Sequence, residues 1–258
     1  MKFNDTIHVN SKNDKDIVSS VKKKKELSLR YKYISFNPLI LVMNFILYRV
    51  IARPVAYFYM KLRFHYKVYG KEKLKECKDS GYFLYSNHTL IVGDAFGPNV
   101  LFFKKRNYII TGEQANSLKL IMPVLRGVGS IPVTSNATNF KNVYKAVEYR
   151  IKKNKSTVTI FPEVHAWPYY TGIRDVNIST FYYPAKMKAP IFVTTQCYKK
   201  RKFIKRPKIE CHIEGPFYPS DNNSTRENAL YFKECFLDSS KKNSEKFSSY
   251  SYFNYVID

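Results

Sequence analysis

Apolar positions along the chain change spacing twice. The first 36 residues are polar and charged, with an unbroken basic run from Lys22 to Lys25, and read as a basic tail or a loose helix. Residues 38–48, PLILVMNFILY, form an apolar run that stops at Arg49, and apolar character resumes from Val50 to Leu62. The first run is far short of the roughly 20 residues that cross a bilayer, and no small-residue cleavage site follows it. Arg49 and Arg53 stand four apart and share one helical face. A wide apolar surface with a basic stripe, next to a polybasic run, predicts a segment that lies in a membrane interface. Packing of the same helix against the domain, with snorkelling arginines, is the alternative. Pro54 predicts a kink or a break into two helices.

After Gly70 the pattern alternates. Strand-like runs fall near 65–69, 82–86, 108–111, 128–134, 157–161, 190–195 and 208–214, and helix-like stretches at 90–104, 115–126, 139–154 and 225–237. The last helix opens with STRE, a capping-box signature from Ser224 to Glu227. Strands alternating with helices predict an α/β fold, a mixed, mostly parallel sheet flanked by helices. The organisation read from this is a polar basic tail over 1–36, a membrane-interface helical segment over 37–64 and a single α/β domain over 65–258. Sites in such sheets lie at the carboxyl ends of strands.

Two strand-like runs end in chemistry-bearing residues. LYSNHTLIVGD, residues 84–94, delivers Asn87 and His88 at a strand end, with Asp94 six residues after the histidine. A histidine fixed by a carboxylate can act as a general base near neutral pH. On an unbroken helix six residues rotate the side chain by roughly 240°, so the pairing requires a turn between them, at the Asn87–Thr89 corner or at Gly93. The alternative is an Asn87 helix cap with a solvated His88 and Asp94. IFPEVHAWPYY, residues 160–170, ends a second strand in Glu163 and His165, with Trp167 either lining a substrate pocket or packing in the core.

The chain carries 44 Lys+Arg against 20 Asp+Glu, a formal net charge of +24, which suits anionic membranes, polyanionic substrates or nucleic acid. A recognised nucleic-acid motif is missing, and nucleic-acid binding leaves both strand-end motifs unexplained. Cys77, Cys197, Cys211 and Cys235 are too scattered for a CxxC zinc pattern and read as structural thiols.

NHTLIVGD followed by FPE, with the glycine-rich strand RGVGSIPV between them and APIFVTT after, resembles the lysophospholipid acyltransferase family, typified by 1-acylglycerol-3-phosphate acyltransferases. The resemblance runs from about residue 37 to 215. It implies that His88 takes the proton of an acceptor hydroxyl, that Asp94 orients and stabilises His88, and that Glu163 serves in acceptor binding, with Asn87 carried as a further substrate-binding candidate. It implies docking on a bilayer through the N-terminal helices, at the cytoplasmic face and in contact with anionic lipids. It also implies acyl-coenzyme A or acyl-carrier protein as donor, and no metal or bound cofactor. The sequence departs from the family pattern in four places. Five residues rather than four separate His88 from Asp94, Val164 stands for the glycine after FPE, Ala166 stands for the following arginine, and Ser135 lies where a further arginine is usual. Those arginines hold the acceptor phosphate in the family. Arg174 is the first candidate to replace them, ahead of Arg126 and Lys141, because a planar guanidinium grips two phosphate oxygens at once.

The leading expectation is a membrane-associated O-acyltransferase acting on a lysophospholipid in phospholipid synthesis or remodelling. A basic membrane-binding protein with a decayed site is one alternative. A metal-dependent hydrolase using His88, Asp94, Glu163 and His165 as ligands is another.

Overall fold

The computed structural model describes residues 5–9, 27–28, 31–90, 92–101, 105–112, 122–133 and 137–257. The basic run at 22–25, most of the helix expected from 115, and Ser135 lie outside the described residues.

The strands are β1 (Thr6–Val9), β2 (Lys67–Tyr69), β3 (Tyr82–Ser86), β4 (Asn107–Thr111), β5 (Ser130–Pro132), β6 (Thr157–Ile160), β7 (Ile191–Lys199), β8 (Lys208–Phe217) and β9 (Asn254–Ile257). The helices are α1 (Pro38–Phe45), α2 (Arg53–Phe64), α3 (Gly93–Leu101), α4 (Met122–Gly127), α5 (Ala137–Glu148), α6 (Tyr182–Met187) and α7 (Thr225–Phe247). Seven strands form one sheet in the order β2-β8-β7-β3-β6-β4-β5. β7, β3, β6, β4 and β5 run parallel, and β8 joins β7 antiparallel. The sheet is therefore mixed and mostly parallel, as the alternation of elements predicts.

The central strand β3, YFLYS, is buried at every position, as expected of a parallel strand covered on both faces. Phe83 and Tyr85 pack with Val158, Ile191 and Phe236 on one face, while Tyr82 and Leu84 pack with Phe192, Met60 and Phe64 on the other. This period of two puts α5, α6 and α7 on the first face and the α2 and α3 pair on the second.

Pro38–Phe64 is one helix of 27 residues, long and apolar enough to cross a membrane. Of the two readings for Pro54, a kink or a break into two helices, the break is corrected here. Pro54 has no N–H to donate and its ring crowds the carbonyl four residues back. A π-helical stretch, Ile46–Ala52, precedes it and widens the turn, so the helix continues instead of breaking. Asn37 caps the start, accepting from the Leu39 and Ile40 N–H groups, and His65 closes the end at φ 46°. Tyr48, Ala56, Met60 and Phe64 face inward, while Leu39 is 68% and Leu62 75% exposed.

Within the expected tail, Thr6–Val9 form a strand. β1 pairs in parallel with β9, and Ile7 and Val9 turn inward, so a short alternating pattern inside the polar stretch suffices for an edge strand. The capping box at Ser224 and Glu227 forms, and α7 runs on to Phe247, well past the expected end at 237. Its last turns bury Ser240, Asn243 and Ser244, a polar inner stripe that an apolar count does not detect.

Candidate active site

β3 and β6 are parallel neighbours, with Tyr85 opposite Ile160. Their carboxyl ends therefore leave the sheet side by side, and the two motifs emerge at the same place. Past the end of β3, the Asn87 side chain extends the sheet. Its Oδ1 accepts from the Gln196 N–H at 2.8 Å and its Nδ2 donates to the Gln196 carbonyl at 3.3 Å. Asn87 is 1% exposed, so its amide acts in place of a backbone pair with β7.

The chain then leaves regular structure at residues 87–90, and Asp94 stands in the first turn of α3. His88 Nδ1 lies 2.6 Å from Asp94 Oδ2. The same oxygen accepts the Leu90 N–H at 2.8 Å, and the Asp94 N–H donates to the Leu90 carbonyl at 3.0 Å. This reciprocal pair folds the extra residue into the turn. Gly93 lets the turn close, since a Cβ there would stand 2.9 Å from the Leu90 side chain. Asp94 is 4% exposed, and burial raises its carboxyl above the ordinary carboxylate value despite the opposing pull of His88. The His88 ring stacks on Phe161, with centroids 4.7 Å apart.

Glu163 locks the two motifs together. Its Oε2 accepts the His88 main-chain N–H at 2.8 Å and the Arg174 guanidinium at 3.2 Å, and its Oε1 accepts the Arg174 N–H at 3.2 Å. Two more main-chain bonds fasten the loops, Trp167 N–H to the His88 carbonyl at 3.1 Å and Tyr169 N–H to the Thr89 carbonyl at 2.8 Å. Val164 takes φ 65°, the left-handed region that a glycine adopts without cost.

Arg174 does not stand where a substrate phosphate can reach it. It is 1% exposed, pairs with Glu163, donates to the His165 carbonyl and lies 4.8 Å over the Trp167 ring. The expectation that it replaces the family's phosphate arginines is corrected on that ground. Trp167 is fully buried and stacks on Tyr255, with centroids 5.2 Å apart, so it belongs to the core rather than to an open pocket. Arg126 lies on α4, at the amino ends of the strands, away from His88. Glu163 faces the His88 backbone and Arg174, and no cluster of three or more His, Cys, Asp or Glu suited to a metal occurs among the described residues.

Sequence reasoning missed Phe161 as the stacking partner of His88, the bond of 2.6 Å between Thr89 and the Tyr198 hydroxyl, and Tyr255 as the cover of Trp167. Phe161 was open to detection, because it sits one residue past β6 in register with the end of β3. The Tyr198 and Tyr255 contacts join segments far apart in sequence and left no local signal.

Residues 65–183 match the family model described as Acyltransferase, and both motifs fall inside that span. None of the curated proteins matches the chain. Among solved structures, the chain is similar to the crystal structure of the 1-acyl-sn-glycerophosphate (LPA) acyltransferase PlsC from Thermotoga maritima. The identity is 14%, the TM-score is 0.58, and the match covers 86% of this chain and 89% of that chain. That likeness establishes a common fold, while the family match rests on the span that carries His88, Asp94 and Glu163. Residues 65–183 are thus an acyltransferase domain by their match, in line with the family that the two strand-end motifs resemble.

Proposed function

We propose that the protein is a membrane-associated O-acyltransferase that moves a fatty acyl group from a thioester to the hydroxyl of a lysophospholipid such as 1-acylglycerol-3-phosphate. The observation that carries this reading is the 2.6 Å contact between His88 Nδ1 and Asp94 Oδ2. With Nδ1–H held by the carboxylate, Nε2 is the atom that takes a proton. The acceptor hydroxyl gives its proton to Nε2 as its oxygen attacks the thioester carbonyl. Asp94 stabilises the imidazolium that forms. The C–S bond breaks, and the imidazolium proton passes to the departing thiolate, which returns His88 to its starting state. Glu163 and Arg174 act as positioning residues, fixing the His88 backbone. The closely paired dyad favours this reading over a decayed site.

Acyl-coenzyme A and acyl-carrier protein are both anionic and suit a chain of net charge +24. The exposed apolar face of Pro38–Phe64 supports a seat on the bilayer, which we assign to the cytoplasmic face. The test is lipid mass spectrometry of purified protein offered mixed lysolipids with each thioester donor. New diacyl product that disappears in His88→Ala supports the proposal. Undiminished product in that variant overturns it.

A further inference from the structure

The amino ends of the strands hold a second basic site. Arg106 precedes β4, Arg126 lies in the last turn of α4, and Arg150 lies in the π-helical continuation of α5, Tyr149–Lys153, ahead of β6; all three line one pocket of about 210 Å³. Among the described residues no carboxylate lines this pocket. Each guanidinium has only partial company. Arg106 donates to the Gly127 carbonyl at 2.6 Å and Arg150 to the Tyr33 carbonyl at 2.9 Å. Arg106 lies 5.1 Å and Arg150 4.5 Å from the centre of the Tyr108 ring. Yet the Nε–H groups of Arg106 and Arg150 are buried without an acceptor. Among the described residues these three cations gather without an anion, and the two buried Nε–H donors call for an acceptor from elsewhere.

The neighbouring surface says what kind. An apolar groove of about 650 Å³ adjoins the pocket and shares Asn44 and Arg126 with it. Its walls are apolar side chains of the helix, Ile40, Met43 and Leu47 among them, facing Met122 and Val124. The outer face of the same helix is exposed, with Met43 at 61% and Val42 at 56%. A phosphate-sized basic pocket continuous with an apolar groove, on the greasy side of the molecule, matches an amphiphile with an anionic head.

We propose that pocket and groove together bind an anionic membrane phospholipid, its phosphate among Arg106, Arg126 and Arg150 and one acyl chain along the groove. This site is distinct from the acyl-transfer centre. His88 and Glu163 follow the carboxyl ends of β3 and β6, whereas the arginines flank the amino ends of β4 and β6, and the three strands are parallel neighbours. The inference rests on the membrane seat of the helix and not on acyl transfer.

The test is flotation of the full chain with vesicles of phosphatidylcholine alone and of phosphatidylcholine containing phosphatidylglycerol. The double variant Arg126→Gln/Arg150→Gln should lose its preference for the anionic vesicles on the order of ten-fold, with binding to neutral vesicles unchanged. Lys241→Gln/Lys242→Gln removes the same charge from the exposed side of α7 and should lose far less. Equal losses in the two double variants, or full preference retained in the first, overturn the proposal. A thermal melt checks folding; should the double variant melt early, Arg126→Gln alone, a change nearer the rim, must still lower the preference beyond a single Lys241→Gln. Inorganic phosphate at fixed ionic strength should displace the protein no better than chloride. Selective displacement would assign the pocket to free phosphate instead. Loss of neutral-vesicle binding in the wild-type chain would refute the membrane seat separately.

Discussion

The Glu163 carboxylate holds the main-chain nitrogen of His88 at 2.8 Å, so the second motif fixes the first through its backbone rather than through its ring. The ring is left to Asp94 and Phe161. Orientation of the His88 ring thus depends on two strands, two loops and a buried ion pair.

Asp94→Asn should abolish most turnover while leaving the fold at least as stable. One oxygen serves both His88 Nδ1 and the Leu90 N–H, so an asparagine Oδ1 in its place keeps both bonds but brings no charge to stabilise an imidazolium, while an NH₂ there turns the His88 proton to Nε2 and gives up the Leu90 bond. The same exchange in the serine-protease triad costs about 10⁴-fold. The stability sign follows from burial. A carboxyl raised above its ordinary value of 3.8 contributes stability below that value and loses it as pH rises through the raised value. The advantage of Asn over Asp should therefore be small below pH 3.8 and grow upward from there. Urea denaturation across pH and an acyl-transfer assay check both halves, and a variant that unfolds at neutral pH would contradict the argument.

Glu163→Gln should lower stability by about 3 kcal/mol or more, because Arg174 remains charged and 1% exposed without its counter-ion. A paired apolar replacement, Glu163→Met with Arg174→Met, should recover part of that loss. Arg174→Ala should act on stability and turnover and move acceptor KM little. A selective rise in acceptor KM with an unchanged melting curve would return Arg174 to phosphate binding.

Val164→Gly should stabilise the protein by roughly 0.5–1 kcal/mol. A side chain in the left-handed region costs about 1–2 kcal/mol, and the extra freedom of glycine in the unfolded chain cancels part of the gain. Val164 is 63% exposed, so little packing is lost. Denaturant midpoints decide it, and a drop in stability would show that the strain is matched by contacts of the side chain.

Val42→Asp together with Leu62→Asp should weaken binding to neutral vesicles by ten-fold or more, since burying each apolar side chain contributes about 1.5–3 kcal/mol. Both positions are exposed, at 56% and 75%, so the melting temperature should hold. Vesicle sedimentation unchanged by the pair would remove the helix from the membrane contact.

Much of this architecture was legible in the pattern of residues. The central strands were readable because parallel strands buried on both faces are short, continuous apolar runs, and YFLYS and TVTI are both of that kind. The bend between His88 and Asp94 was also readable, because an unbroken helix points the two apart. The fate of Arg174 was not. Its partners come from Glu163, the His165 carbonyl and the Trp167 face, all set by the path of one loop, and a loop arginine looks the same in sequence whether it meets solvent or a buried carboxylate. The continuous helix was hidden for a similar reason. Pro54 signals a break, and the wider turn that avoids it has no sequence signature.

The pairing of β1 with β9 ties residues 6–9 to 254–257, and from β9 Tyr255 stacks on Trp167 and donates its hydroxyl to the Pro168 carbonyl at 2.8 Å. Both end segments are thereby buckled over the loop that carries Glu163 and Arg174. Trimming either segment for crystallisation, or hanging an affinity tag directly on Ile257, would loosen that buckle and disturb His88 from a distance. Tags belong beyond a flexible spacer, and a low rate measured on a shortened chain would report a loosened loop rather than a weak base.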